Sequence, residues 1–266
     1  MDIFQAIILA LVQGLTEFLP VSSSAHLILV PVLLGWEDQG LAFDVAVHVG
    51  TLVAVVFYLR RELVAIVPAW LSGWSGMHWG PQGKLGWWVV LATIPVGLFG
   101  LFGGTYVENN LRSPLIIATT TLVFGLALAW ADRGAESKHR ILIELGWKDA
   151  VLIGLAQAFA LVPGSSRSGM TMMAALYLGM TRVDAARFSF LLSVPAIVLP
   201  GFLKGAALVS ANTAVDWIVI ATGVVVSAVT AFLCIKTFMA FVTRVGLAPF
   251  VFYRVALAIV LFALFI

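Results

Sequence analysis

Two stretches set the most polar residues of this chain inside apolar sequence: Gln13-Gly14-Leu15-Thr16-Glu17-Phe18-Leu19-Pro20-Val21-Ser22-Ser23-Ser24-Ala25-His26 and Pro163-Gly164-Ser165-Ser166-Arg167-Ser168-Gly169-Met170-Thr171. They constrain the fold because the sequence around them belongs in a bilayer. Hydrophobic residues make up 62% of the chain and charged residues 11%, against about 25% charged in a soluble domain; the mean hydropathy is +1.08. An apolar crossing takes about 20 residues, so 266 residues are read as one membrane domain, 1–266, with no soluble enzyme beside it. A carboxylate, hydroxyls, an imidazole and a guanidinium at membrane depth are costly to desolvate and mark a functional site by default.

Several classes drop out. Cys234 is the only cysteine and lies in an apolar run, which excludes intrachain disulfides and thiolate metal clusters and reads as a buried, inert thiol. The opening Met-Asp-Ile-Phe lacks the basic n-region of a signal peptide and is expected to be mature sequence. Basic residues are spread over loops without a stripe, so no nucleic-acid partner is expected.

Spans are predicted at about 43–59, 87–102, 114–130, 188–203, 217–235 and 249–266. If each crosses once, while 2–34 and 149–180 dip in and return, one side holds Arg60, Arg61, Lys84, Arg133, Lys138, Arg140, Lys148, Arg182, Arg187, Lys236 and Arg244. The other side holds Arg112 and Lys204. The crowded side is therefore predicted to be cytoplasmic, with both termini outside the cytoplasm.

The second half repeats the plan of the first. Ala10-Leu11-Val12-Gln13 before Pro20-Val21-Ser22-Ser23 parallels Leu155-Ala156-Gln157 before Pro163-Gly164-Ser165-Ser166. Phe43 to Arg60 parallels Phe188 to Gly205, and Ser113-Pro114 parallels Ala248-Pro249. An odd number of crossings per half inverts the second copy. The predicted fold is thus an all-α integral membrane protein: six transmembrane helices plus two broken re-entrant helical hairpins, arranged as inverted-topology repeats. The repeats are placed at about 1–130 and 148–266, joined by a cytoplasmic connector, 131–147. Pro20 and Pro163 each end one helical run, and small polar residues open the next. Helices starting after Val21 and near Ser166 would aim free N–H groups into the gap between repeats. With the planar fork of Arg167, that gap suits an anion, most naturally a phosphate.

Glu17 follows Gln13 by one helical turn, so the pair could hold a hard cation or set a carboxylate base beside an orienting amide. Ser22, Ser23 and Ser24 offer nucleophiles, phosphate donors or helix caps, Ser22 suiting the cap best, and His26 is placed to relay a proton. Ser166, Ser168 and Thr171 are read as hydroxyl donors to the oxygens that Arg167 holds, or as caps. His48, mid-span, is read as structural, and Arg254 as either internally paired or lining the cavity. Trp70, Trp74, Trp79, Trp87 and Trp88 are expected to anchor a loop at the membrane surface.

These two motifs resemble those of the undecaprenyl-diphosphate phosphatases of bacteria, also called bacitracin-resistance proteins, and the likeness spans the chain in length and order of elements. The resemblance implies hydrolysis of undecaprenyl diphosphate in the bacterial plasma (inner) membrane, which regenerates the monophosphate carrier for peptidoglycan synthesis. It further implies a divalent cation, Mg2+ or Ca2+. The family's E/Q-x-x-x-E motif falls on Gln13 and Glu17, its essential serine on Ser23, its histidine on His26, and its P-G-x-S-R-S motif on Pro163 through Ser168. Gln13 stands where many relatives have Glu.

Glu17, Ser23, His26 and Arg167 are thus the expected catalytic residues, and Glu17 with Gln13 the expected metal ligands. Gln13, Ser22, Ser166, Arg167, Ser168 and Thr171 are the expected phosphate contacts. The expected partners are a polyprenyl diphosphate lipid and membrane lipids, with the site facing the periplasm or exterior. Oligomeric state stays open, a homodimer included. Two other classes compete: a transporter or flippase, because inverted repeats with broken helices also build carriers, and an intramembrane Ser/His peptide hydrolase, which gives Arg167 no role.

Overall fold

The structure, a computed structural model, describes residues 1–75, 79–210 and 216–266. Among the described residues there are eleven α-helices: α1 (Ile3–Thr16), α2 (Ser23–Leu34), α3 (Gly40–Tyr58), α4 (Arg60–Ser72), α5 (Pro81–Asn110), α6 (Pro114–Asp132), α7 (Trp147–Phe159), α8 (Arg167–Tyr177), α9 (Arg182–Ser210), α10 (Trp217–Val245) and α11 (Ala248–Phe265). Among the described residues the only β pairing is an isolated bridge between Arg140 and Met180. Helix starts follow local chemistry. Asp2 accepts from the Gln5 amide in a capping box, and Pro81, Pro114 and Pro249 stand in first turns, where a missing N–H costs nothing.

Among the described residues six helices, α3, α5, α6, α9, α10 and α11, are long and apolar enough to cross a membrane, and the chain is a multi-pass membrane protein. Several exceed the predicted windows. The span expected at 87–102 runs Pro81–Val107, and that expected at 217–235 runs Trp217–Val245. The added turns hold Gln82, Lys84, Lys236 and Arg244, whose polar ends lower a hydropathy window while their backbone stays helical at the interface. The outer face is apolar, with Phe102, Phe202 and Phe252 at 82%, 76% and 75% exposure, as lipid contact permits and water would not.

The short helices pack inward. Helix α1 lies on α10 and α7 on α5, while α3 meets both α9 and α10 and α6 meets α11. Two glycines allow the first two approaches: a Cβ on Gly14 would lie 2.7 Å from Thr230, and one on Gly154 would lie 2.5 Å from the Ala92 carbonyl oxygen. Phe18 packs edge-on against Phe190 at 5.5 Å between ring centres, within a core that includes Phe188 and Phe238. At the predicted cytoplasmic side, Arg182 grips Asp132 through two donors, and Arg140 pairs with Asp149 at 2.7 Å. Trp70, Trp74, Trp79 and Trp87 gather in one aromatic cluster, whereas Trp88 packs against the core.

Candidate active site

Both polar motifs fall where the chain passes from one short helix to the next, α1 to α2 and α7 to α8. Ser22 and Ser166 have φ of 75° and 72° and are the only non-glycine residues with positive φ among those described. Each occupies the N-cap position of its second helix. Such backbone costs of order 1–3 kcal/mol per residue and persists only where its surroundings fix it. Ser166 caps in the usual way, its Oγ accepting from the Gly169 N–H at 3.1 Å. Ser22 does not cap its own helix; its Oγ accepts from the Gly164 N–H at 3.2 Å. The first break is therefore tied to the second.

Arg254 completes that tie from α11. It is wholly buried, and its guanidinium donates to the carbonyls of Pro20 (3.2 Å) in the first break and of Gly164 (2.9 Å) and Ser165 (3.2 Å) in the second. It also reaches Thr120 and Thr121 of α6. Of the two roles expected for Arg254, the structure selects internal pairing, with carbonyls in place of an acid.

Glu17 is the hub. Its Oε1 accepts from Arg167 Nη2 at 2.7 Å, and its Oε2 accepts from Ser23 Oγ at 2.6 Å and from Gln13 Nε2 at 3.0 Å. Arg167 and Glu17 are 150 positions apart, so the acid missing from the neighbourhood of Arg167 in sequence is supplied by the fold. Arg167 Nη1 donates to the Ser189 carbonyl at 3.2 Å. A cavity of about 380 Å³ opens beside this group, with Glu17, Ser22, Ser23, Ser24, His48, Gln157, Ser166 and Arg167 on its walls.

Other expected residues stand behind the wall. Gln13 is fully buried beneath Glu17. Ser168 donates to the Leu19 carbonyl at 2.7 Å, and Thr171 to Ser189 Oγ at 2.8 Å. Neither hydroxyl lines the cavity, so in this arrangement they brace the turn and helix start that carry Arg167. His26 also departs from expectation. Its Nδ1 donates to the Ser22 carbonyl at 2.7 Å and its Nε2 meets the Tyr253 hydroxyl, so both ring nitrogens are engaged away from the cavity. In this geometry His26 buttresses the Ser22 turn.

Sequence reasoning missed His48 and Gln157. His48 Nε2 lies 3.8 Å from Glu17 Oε2, and its side chain is 33% exposed to the cavity. Gln157 donates to the Ala92 carbonyl at 3.2 Å and leaves Oε1 without a partner. The signal was present: each is a polar side chain in an apolar run, as costly there as the residues that were singled out.

A serine hydroxyl 2.6 Å from a carboxylate, beside a guanidinium, has the chemistry that a nucleophile, a base and an anion clamp would need. A divalent cation also suits the donor set. The Glu17 carboxylate faces a cavity, and the buried Gln13 Oε1 has no partner. No three His, Cys, Asp or Glu residues cluster among those described. A cation here would therefore complete its shell with phosphate oxygens and water, as Mg2+ commonly does.

The profile of the family described as bacitracin resistance protein BacA matches residues 6–260. The chain is 55% identical over 263 residues to undecaprenyl-diphosphatase of Teredinibacter turnerae, covering 98% of this chain and 99% of the relative. It is 53% identical over 267 residues to undecaprenyl-diphosphatase 2 of Stutzerimonas stutzeri, covering 100% of this chain and 99% of the relative. Identity to undecaprenyl-diphosphatase of Saccharophagus degradans is 53% over 264 residues, 99% of this chain and 98% of the relative.

Proposed function

The chain belongs to the bacitracin resistance protein BacA family, and on that premise we propose that it hydrolyses undecaprenyl diphosphate to undecaprenyl phosphate and phosphate, recycling the carrier for peptidoglycan synthesis. It is a membrane phosphatase, and bacitracin resistance follows from that activity. The observation that carries the chemistry is the Ser23–Glu17–Arg167 chain of hydrogen bonds on one cavity wall.

Arg167, with the first-turn N–H groups of α2 and α8, receives the terminal phosphate and stabilises charge spreading over its equatorial oxygens. Ser23 Oγ attacks the terminal phosphorus in line and passes its proton to Glu17 Oε2, and the bond from phosphorus to the bridging oxygen breaks. Glu17 returns that proton to the departing lipid monophosphate; water then attacks the phosphoserine, Glu17 taking its proton and passing it to Ser23 Oγ as the bond from phosphorus to that oxygen breaks and phosphate leaves. A Mg2+ or Ca2+ ion, held by Glu17 with Gln13 behind it, would supply charge neutralisation to the diphosphate. Gln13 orients the carboxylate, and Ser22 and Ser166 keep the two turns in register.

The placement of Arg112 and Lys204 supports a site open to the periplasm or exterior. They are the two cations assigned to the sparsely charged side, Arg112 between α5 and α6 and Lys204 within α9, and both line the cavity. In the inner membrane this puts both termini outside the cytoplasm. The matching strained serines, and the packing of α1 on α10 and of α7 on α5, support inverted repeats at 1–130 and 148–266. Each break then forms a re-entrant hairpin within a single domain.

Purified protein in detergent should release phosphate from the lipid diphosphate. A carrier has no turnover without two compartments, so zero release would favour the flippase reading. Arg167→Lys keeps the charge and loses the fork, and should lower kcat/KM about 100-fold, roughly 2.7 kcal/mol of transition-state stabilisation. An unchanged rate would refute bidentate phosphate binding.

A further inference from the structure

We propose that His48, through Nε2, is a ligand of the divalent cation held by Glu17, a role that rests on the metal-assisted reading above. The first observation is the fixed tautomer. His48 Nδ1 lies 2.6 Å from the Asp44 carbonyl oxygen, to which it can only donate. That leaves the Nε2 lone pair bare, and donation of the far ring N–H to a carbonyl is the usual outer-shell support of a metal-bound histidine.

The second observation is distance. Glu17 Oε2 and His48 Nε2 are 3.8 Å apart, too far for a hydrogen bond. Two metal–ligand bonds of about 2.1 Å reach about 4.2 Å when opposed, so one ion can touch both atoms without moving either helix.

The third is access. Both residues line the cavity beside Ser23 and Arg167, so an ion between them faces the phosphate. His26 offers no such lone pair, because both of its ring nitrogens are engaged and it does not line that cavity. Gln13 presents its N–H to Glu17, so the imidazole is the second donor on the open side of the carboxylate. A nitrogen donor shifts preference away from Mg2+ and Ca2+ and toward the later first-row metals; Mn2+, which shares the oxygen preference of Mg2+, serves as the paramagnetic probe.

The test is pulsed EPR of Mn2+ added to the full-length protein in detergent, which needs no turnover. Wild type should show the 14N modulation of a directly bound imidazole. His48→Gln should lose that modulation and bind Mn2+ about tenfold or more weakly, while His26→Asn keeps it. Bound Mn2+ without 14N coupling in wild type overturns the assignment but leaves Glu17 as a ligand. Failure of wild type to bind Mn2+ at all overturns the assignment together with the metal reading. If His48→Gln does not fold, [15N]histidine-labelled wild type decides: exchange of the 14N pattern for a 15N one supports a histidine ligand, and an unchanged pattern refutes it.

Discussion

Glu17→Gln is expected to lower kcat about 1000-fold, within the range of roughly 10²–10⁴ for loss of a general base. The amide cannot take the Ser23 proton, and it cannot match the carboxylate as an acceptor for Arg167 or as a cation ligand. The ion pair to Arg167 is mostly buried, at 15% and 6% side-chain exposure, so its loss also leaves a guanidinium without its counter-ion. Ser23→Ala separates these effects, because it keeps the pair and removes only the nucleophile. If both variants purify with wild-type elution profiles, phosphate release should fall by similar factors. Near-normal turnover in Glu17→Gln would remove the base and metal roles together. Near-normal turnover in Ser23→Ala would move the attack to water.

Arg254→Met should be the most destabilising single change, by about 3 kcal/mol or more. Thr120 and Thr121 lie within α6, so the helix ladder still serves their carbonyls. Those of Pro20, Gly164 and Ser165 sit in the breaks and lose the guanidinium. An orphaned buried acceptor costs about 1–3 kcal/mol. Gly164 keeps the Thr121 hydroxyl as a donor, and relief from burying a charge offsets part of the cost, but the orphaned carbonyls of Pro20 and Ser165, one in each break, outweigh it. A thermal unfolding midpoint close to wild type in detergent would contradict the assignment. Loss of the midpoint with retained activity in the folded fraction would show that the tie serves stability alone.

The spans were legible because an apolar run of about 20 residues has few other fates, and the start of α6 because Pro114 acts locally, whereas the start of α5 at Pro81 was hidden by the polar Gln82 and Lys84 beside it. Both motifs were legible as costs, since Glu17 and Arg167 cannot lie idle at that depth. What joined them was not. The Glu17–Arg167 pair spans 150 positions and the hydrogen bond from the Gly164 amide to Ser22 spans 142. No local rule states which turn faces which. His26 and His48 show the limit most clearly: nearness in sequence favoured the first, whereas the helical register of α3 brought the second to the cavity.

The bond between Arg167 and Glu17 also bears on selectivity by charge. On the proposed roles, the clamp Arg167 and the base Glu17 neutralise each other, and an anion must compete with a carboxylate seated on the fork. A weakly charged ligand competes poorly, whereas a diphosphate can displace Glu17 and so free the base when there is phosphorus to attack. On that proposal, the base itself sets the density of negative charge that a ligand must exceed to reach the guanidinium.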